Sequence, residues 1–132
     1  MEIITKYPAE ILILLFLIVT FLQSGVDKLT DWRGNVSFIK EHFKSSPLKN
    51  GVPFLLGIVL LLEIIASLCM IYGIYEILSS GTSFYALLGI ELSALTLIFL
   101  LIGQRLAKDY AGAMSLTVYF IVTILGIFAL TY

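Results

Sequence analysis

ILILLFLIV, at Ile11–Val19, is an unbroken apolar run that decides the fold class of this chain. It lies within a longer apolar segment, and three further segments of comparable length follow it. A helix crosses about 30 Å of hydrocarbon with roughly 20 such residues. The hydrocarbon holds no water, so each segment has to satisfy its backbone hydrogen bonds internally, as a helix does. We therefore predict four transmembrane helices, at residues 8–24, 52–75, 83–103 and 112–131.

The overall composition supports this interpretation. The chain has 132 residues, of which 60% are hydrophobic and only 13% are charged, and its mean hydropathy is +1.06. Soluble domains contain about 45–50% apolar and about 25% charged residues. A domain of this size cannot bury so many apolar side chains, and those that remain exposed must face lipid. We predict an all-α integral membrane protein, a four-helix bundle that forms a single domain over residues 1–132.

Charge and the scarcity of metal-binding side chains exclude several classes of function. The net charge is −1 and the isoelectric point is 5.7, so we expect no nucleic-acid partner. Cys69 is the only cysteine, which excludes an intrachain disulfide and a C-x-x-C pair. His42 is the only histidine, so we expect no metal site and no intrinsic cofactor of the usual zinc or haem kind. We interpret His42 as a solvated or interfacial histidine.

The basic residues predict the orientation in the membrane. They concentrate in the connections between helices one and two and between helices three and four: Lys28, Arg33, Lys40, Lys44, Lys49, Arg105 and Lys108. The opposite side has Lys6 alone. The positive-inside rule then places both basic connections in the cytoplasm and both termini outside. The single basic residue ahead of helix one also favours a retained helix over a cleaved signal peptide.

The first connection contains a predicted amphipathic helix at residues 31–46. Apolar residues recur on one helical face, at Trp32, Val36, Ile39 and Phe43, and Pro47 opposes continuation of the helix. We predict that this helix lies in the cytoplasmic interface. It would act either as a lid that packs on the end of the bundle, or as a gate or docking surface.

Two acidic residues lie deep in predicted spans, where a charge costs a few kcal/mol. Glu63 follows Pro53 by ten residues, about 15 Å along the helix, and Glu91 precedes Gly103 by twelve, about 18 Å. Their depths therefore nearly match on consecutive antiparallel helices. If both face inward, we expect a buried carboxyl pair in which one group is protonated or a cation is shared.

Polar and small residues on neighbouring helix faces extend this candidate site. We expect the buried polar site to comprise Glu63, Glu91, Tyr119, Ser115 and Ser67, with a mouth formed by Lys28, Asp27 and Ser24. Two interpretations remain open at this point. These groups are either ordinary hydrogen-bonding partners between helices, or they line a site for a ligand, a quinone or a proton.

Two segments resemble the DoxX family of small membrane proteins. FLQSGVDKLTDW, at Phe21–Trp32, is similar to the end of that family's first helix, with its S/H-G-x-x-K element. LLLEIIASLCMIYGI, at Leu60–Ile74, is similar to the second helix, in which Glu63 matches a mid-helix glutamate. FIKEHFKSSPL, at Phe38–Leu48, also fits the family's layout. The sequence departs from the family at Glu10 and Ile11, where many members carry an arginine.

The resemblance implies a four-helix protein that in some members is the small subunit of a thiosulfate:quinone oxidoreductase, and in others is an accessory or chaperone-like subunit. Our leading hypothesis is accordingly an accessory subunit of a quinone-linked complex in a bacterial cytoplasmic (inner) membrane, with the lipid bilayer and other membrane subunits as partners. A bound quinone would contact the site, and electrons would come from a partner because the chain has no redox group. The alternatives are a non-enzymatic scaffold or assembly factor, whose uncharged fourth helix docks a partner, and a small proton or solute carrier.

Overall fold

A computed structural model describes residues 6–131, and in that range the chain folds into five α-helices without strands. We number them α1 (Pro8–Thr30), α2 (Trp32–His42), α3 (Val52–Ser80), α4 (Phe84–Leu106) and α5 (Tyr110–Thr131). The all-α prediction is confirmed. The predicted domain also includes residues 1–5 and 132, which lie outside the described range.

The four long helices α1, α3, α4 and α5 are each long and apolar enough to cross a membrane. At 1.5 Å per residue their 22 to 29 residues extend roughly 33 to 44 Å, which exceeds the hydrocarbon thickness of about 30 Å. Neighbours in sequence pack together, with α3 against α4 and α4 against α5, while α1 closes the bundle against α3 and α5. The four predicted spans are confirmed. We call the end that carries α2 and the α4–α5 connection the basic end.

The helices extend beyond their predicted ends. The first predicted helix stops at residue 24, whereas α1 continues to Thr30, and α3 continues from the predicted residue 75 to Ser80. Apolar patterning marks only the part of a helix that lies in hydrocarbon, and polar turns can continue the same backbone ladder. Gly81 follows α3 and caps its C-terminal end, with a φ of +74° in the left-handed conformation that glycine adopts readily.

Helices α3 and α4 approach closely through small residues. Gly73 faces Ala86, and a Cβ added to Gly73 would lie 2.7 Å from the Ala86 Cβ. Gly89 faces Met70, and a Cβ there would lie 2.9 Å from the Met70 backbone nitrogen. Lipid tails are as apolar as the side chains, so packing of this kind, rather than water exclusion, stabilises helices against one another in a bilayer.

Helix α2 forms where the amphipathic helix was predicted, but it is shorter. The Asp31 carboxylate accepts a hydrogen bond from the Gly34 N–H at 3.2 Å and so caps its first turn. The helix ends at His42 rather than at residue 46, and turns follow it. No residue of α2 is buried, although Trp32 lies against Gly57 of α3. Its location in the membrane interface stays a prediction.

The centre of the bundle is filled by apolar side chains. The largest buried apolar side chains are Leu14, Leu17, Met70, Ile77 and Ile90. Large apolar residues also cover the outer surfaces of all four spans, as expected where lipid is the solvent. The polar residues inside the bundle are therefore exceptional, and they locate the candidate site.

Candidate functional site

A buried ion pair joins α1 to α3. The Lys28 ammonium lies 2.8 Å from Oε1 of Glu63, and only 12% and 3% of the two side chains are exposed. Lys28 Nζ also donates to the Ser24 hydroxyl at 2.6 Å, one turn earlier in the same helix. Glu63 therefore meets a cation from α1, and its charge is balanced within the chain.

The direction of the lysine side chain explains this contact. Gly25 faces Leu60 and Ile64, and Lys28 lies three residues, about 4.5 Å, closer to the basic end. A helical Cα–Cβ bond tilts toward the helix N-terminus, which for α1 is the end away from the basic side. Lys28 therefore extends into the bundle toward Glu63 instead of out to water, as lysines at membrane borders usually do.

Two polar atoms of this site keep unused hydrogen-bonding capacity. The 2.8 Å contact between Lys28 and Glu63 has the distance of a hydrogen bond but not its angle, so Oε1 of Glu63 accepts no aligned hydrogen bond within the described chain. Ser67, one turn further along α3, is fully buried and its Oγ has no partner among the described residues.

Other buried hydroxyls in the bundle behave differently from Ser67. Ser93 donates to the Gly89 carbonyl at 2.8 Å, and Thr96 donates to the Leu92 carbonyl at 2.8 Å. Each hydroxyl thus has a hydrogen-bond partner in the backbone of its own helix. A buried hydroxyl without a partner costs about 1–3 kcal/mol, so Ser67 stands out as a group available to a ligand or a water.

The structure brings together only half of the predicted site. Glu63, Ser67, Lys28 and Ser24 lie at the α1–α3 contact. The buried carboxyl pair is wrong, because Glu91 lies on the exposed surface of α4. The helical positions matched in depth, but the rotation of α4 turns Glu91 away from the interior.

The remaining predicted site residues also lie elsewhere. Tyr119 packs on the core from α5, with its ring 6.0 Å from that of Phe16. Ser115 is exposed, and its hydroxyl donates to the Ala111 carbonyl at 3.4 Å. Asp27 is exposed at the basic end. Within residues 6–131, no side-chain hydrogen bond or ion pair joins any of these three residues to Lys28 or Glu63.

A second polar cluster, which the sequence did not indicate, lies at the basic end. His42 Nε2 is 2.9 Å from Oε1 of Gln104 and 3.3 Å from Oδ2 of Asp109. The other Asp109 oxygen accepts from the Gly112 N–H at 2.9 Å and so caps α5. His42 thus anchors the end of α2 to the last turn of α4 and to the α4–α5 connection. The solvated alternative is therefore wrong, and the interfacial location of His42 stays a prediction. No local pattern could reveal a contact between residues 62 positions apart.

An exposed ion pair of a different kind joins the last turn of α2 to the turn that follows it. Lys44 Nζ lies 2.8 Å from Oε1 of Glu41, with 68% and 73% of the side chains exposed. The hydrogen bond to Glu41, together with its negative charge, raises the pKa of Lys44 above the ordinary value. Water screens such a pair, so it serves best as a comparison for the buried one.

Neither of two cavities along the described part of the bundle touches the Lys28–Glu63 pair. One of about 200 Å³ opens at the end opposite the basic end, between Tyr7, Glu10 and Ser83. The other, of about 130 Å³, is an apolar groove between α4 and α5. Within residues 6–131, no group of His, Cys, Asp and Glu side chains is arranged to hold a metal ion.

Comparison with known proteins identifies the family. Comparisons with curated proteins and with solved structures gave no significant match. The DoxX family profile matches residues 11–105, from the first turn of α1 to the last turn of α4, and so includes both Lys28 and Glu63. That match covers more than two thirds of the 132 residues, and the chain therefore belongs to the DoxX family.

Proposed function

We propose that this protein is an accessory subunit of a quinone-linked complex in a bacterial cytoplasmic membrane, with its basic end in the cytoplasm. The observation that carries the proposal is the buried Lys28–Glu63 pair beside the unpartnered Ser67 hydroxyl. Ionisable groups within a membrane are costly and commonly mark pathways for protons or substrates. The family resemblance adds the quinone, which reaches such a site from the bilayer.

The chemistry of the pair suits a quinone head group. Reduction of a quinone to a quinol consumes two electrons and two protons. The electrons would come from the redox group of a partner subunit. Lys28 supplies a cationic donor to a quinone oxygen, and Glu63 can receive a proton from the basic end and pass it on. Lys28 retains 12% exposure, and a head group would reach the pair at that exposed part of the lysine side chain.

Labelling with a photoreactive azido-quinone in native membranes tests this proposal. We expect Lys28→Met and Glu63→Gln to reduce labelling at α1 and α3 at least tenfold, and to slow quinone reduction by the membranes. Glu10→Gln is the matched control, because Glu10 lies at the other end of α1. Labelling confined to the α4–α5 groove, or equal labelling in every variant, would contradict the proposal.

Ser67→Ala separates a functional role from a structural one. Removing an unpartnered buried hydroxyl leaves the ion pair in place and should leave stability unchanged or raised. If Ser67 donates to a quinone oxygen, the same change weakens quinone labelling severalfold. Unchanged labelling with unchanged stability would remove Ser67 from the site.

The scaffold function is a second candidate, and the exposed carboxylate of Glu91 favours it. The expectation that the uncharged fourth helix docks a partner needs revision for one face of α5, because Gly126 on that face lies against Ile13 of α1 and Ile90 of α4. That surface of α5 closes its own bundle. The carrier function gains no comparable support. Leu14 and Leu17 fill the interior between the two ends of the bundle, where a transport pathway would run.

A further inference from the structure

Glu91 is an acidic side chain on the lipid-facing side of a transmembrane helix. Leu95, Ile98 and Ile102 follow it on the same face of α4, and 41–51% of each side chain is exposed. Glu91 lies seven residues from Phe84, the first residue of α4, which is about 10 Å into a helix roughly 34 Å long. It therefore faces hydrocarbon rather than headgroups.

This placement is energetically unfavourable for the isolated chain. An acidic side chain in the hydrocarbon costs a few kcal/mol, and no side chain within residues 6–131 forms an ion pair or hydrogen bond with Glu91. Glu63, in contrast, has Lys28. A cationic donor from outside the chain would remove the cost at Glu91.

The groove between α4 and α5 lies on the same side of the bundle. It is lined by Leu97, Ile98, Leu101, Leu116, Thr117 and Phe120. Ile98 is seven residues from Glu91, about 10 Å along α4, and the groove volume is about 130 Å³. Cavities of roughly 150 Å³ hold a benzene-sized group, so this groove can receive one apolar side chain.

From these features we propose that the α4–α5 face docks a transmembrane helix of a different membrane protein. That helix carries a Lys or Arg opposite Glu91 and a large apolar residue about two turns away, opposite the groove. The inference rests on the accessory-subunit role proposed above and adds where the partner binds and which chemistry it must have.

A second copy of this chain does not supply the required charge. In the four spans, the basic residues are Lys28, which is paired with Glu63, and Arg105, in the last turn of α4 at the basic end. Gly126 contacts Ile90, so α5 near Leu125 shares the depth of Glu91, and its exposed residues there are apolar. A symmetric contact between copies would bring two carboxylates together, which is unfavourable in lipid.

Site-specific photo-crosslinking in native membranes tests the proposal. A benzophenone amino acid replaces Leu95, one turn from Glu91, and in the control it replaces Leu61, which is 58% exposed on α3. We expect one discrete adduct from position 95 and none from position 61. Glu91→Gln should reduce the adduct at least fivefold, and Glu91→Asp should largely preserve it. The crosslinked peptide should contain a transmembrane helix with Lys or Arg.

Several outcomes would overturn the inference. They are an adduct with the mass of two copies of this chain, an adduct that Glu91→Gln leaves unchanged, a partner helix without a basic residue, and no adduct beyond that of the control. Glu91 is exposed, so its variants should fold, and circular dichroism of each checks this. A Glu91-dependent partner that lacks any link to quinone would leave this inference intact and refute the proposed function instead.

Discussion

Breaking the Lys28–Glu63 pair should destabilise the bundle far more than removing both charges. At 2.8 Å, the Coulomb attraction is about 6 kcal/mol at an effective dielectric constant of about 20. The desolvation of each ion opposes it by several kcal/mol. Removal of one partner leaves the other charge buried without compensation, and we expect Glu63→Leu or Lys28→Met to cost about 3 kcal/mol each.

The double variant should recover most of this loss. Lys28→Met with Glu63→Leu replaces the pair by apolar side chains in an apolar interface, and we expect a net cost below about 1.5 kcal/mol. Reversible unfolding in mixed detergent micelles, followed by far-ultraviolet circular dichroism, measures the free energy of unfolding of all four proteins. The resulting cycle gives the interaction energy between the two positions.

The Lys44–Glu41 pair is a matched control for this cycle. Its N–O distance is also 2.8 Å, but both side chains are mostly exposed, so the same cycle there should give no measurable interaction energy. An interaction energy at Lys28–Glu63 no larger than that of the control would refute the reasoning. So would a double variant whose cost equals the sum of the two single costs.

Three further predictions concern the packing of the helices. Gly73→Ala should cost about 1–3 kcal/mol, because the new methyl group overlaps Ala86, whereas Gly57→Ala, whose nearest neighbour is 4.0 Å away, should be neutral or stabilising in the same unfolding assay. Gly81→Ala should cost about 1 kcal/mol because of its positive φ, and Gly81→Asn should cost less; equal costs would contradict this explanation. His42→Ala should release the end of α2 from the α4–α5 connection, since both of its polar contacts are lost. Limited proteolysis should then cleave the α2–α3 connection severalfold faster, and an unchanged rate would show that the contact does not hold α2.

The number and location of the spans could be predicted from the sequence, because the hydropathy of a long segment indicates whether water or hydrocarbon surrounds it. Runs such as Ile11–Val19 are compatible only with hydrocarbon or a large core, and the chain is too short for a large core. The residues at which each helix ends were harder to predict from the sequence. Helix α1 continues through Lys28 to Thr30 because a backbone hydrogen-bond ladder does not stop where the hydrocarbon does.

The rotation of each helix about its axis could not be predicted. In a soluble bundle the apolar face points inward, but α3 and α5 are apolar on nearly all sides, and lipid accepts any of these faces. Depth was therefore predictable for Glu63 and Glu91, whereas orientation was not. Contacts between distant positions, such as His42 with Gln104, depend on that orientation as well.

The contrast between Glu63 and Glu91 follows from one physical requirement. An acidic side chain in hydrocarbon is costly without a donor, and within residues 6–131 Lys28 pairs with Glu63 while no side chain pairs with Glu91. Lys28 reaches Glu63 because it lies one turn after Gly25, which faces α3, and because its Cα–Cβ bond tilts back along α1, away from the basic end. The hydroxyl of Ser67 stays without a partner among the described residues. Glu91 is left for a donor from another molecule. If the proposed accessory role is right, the unpaired Glu91 is the side chain through which the bundle would bind its partner, whereas the paired Glu63 needs no partner for its charge.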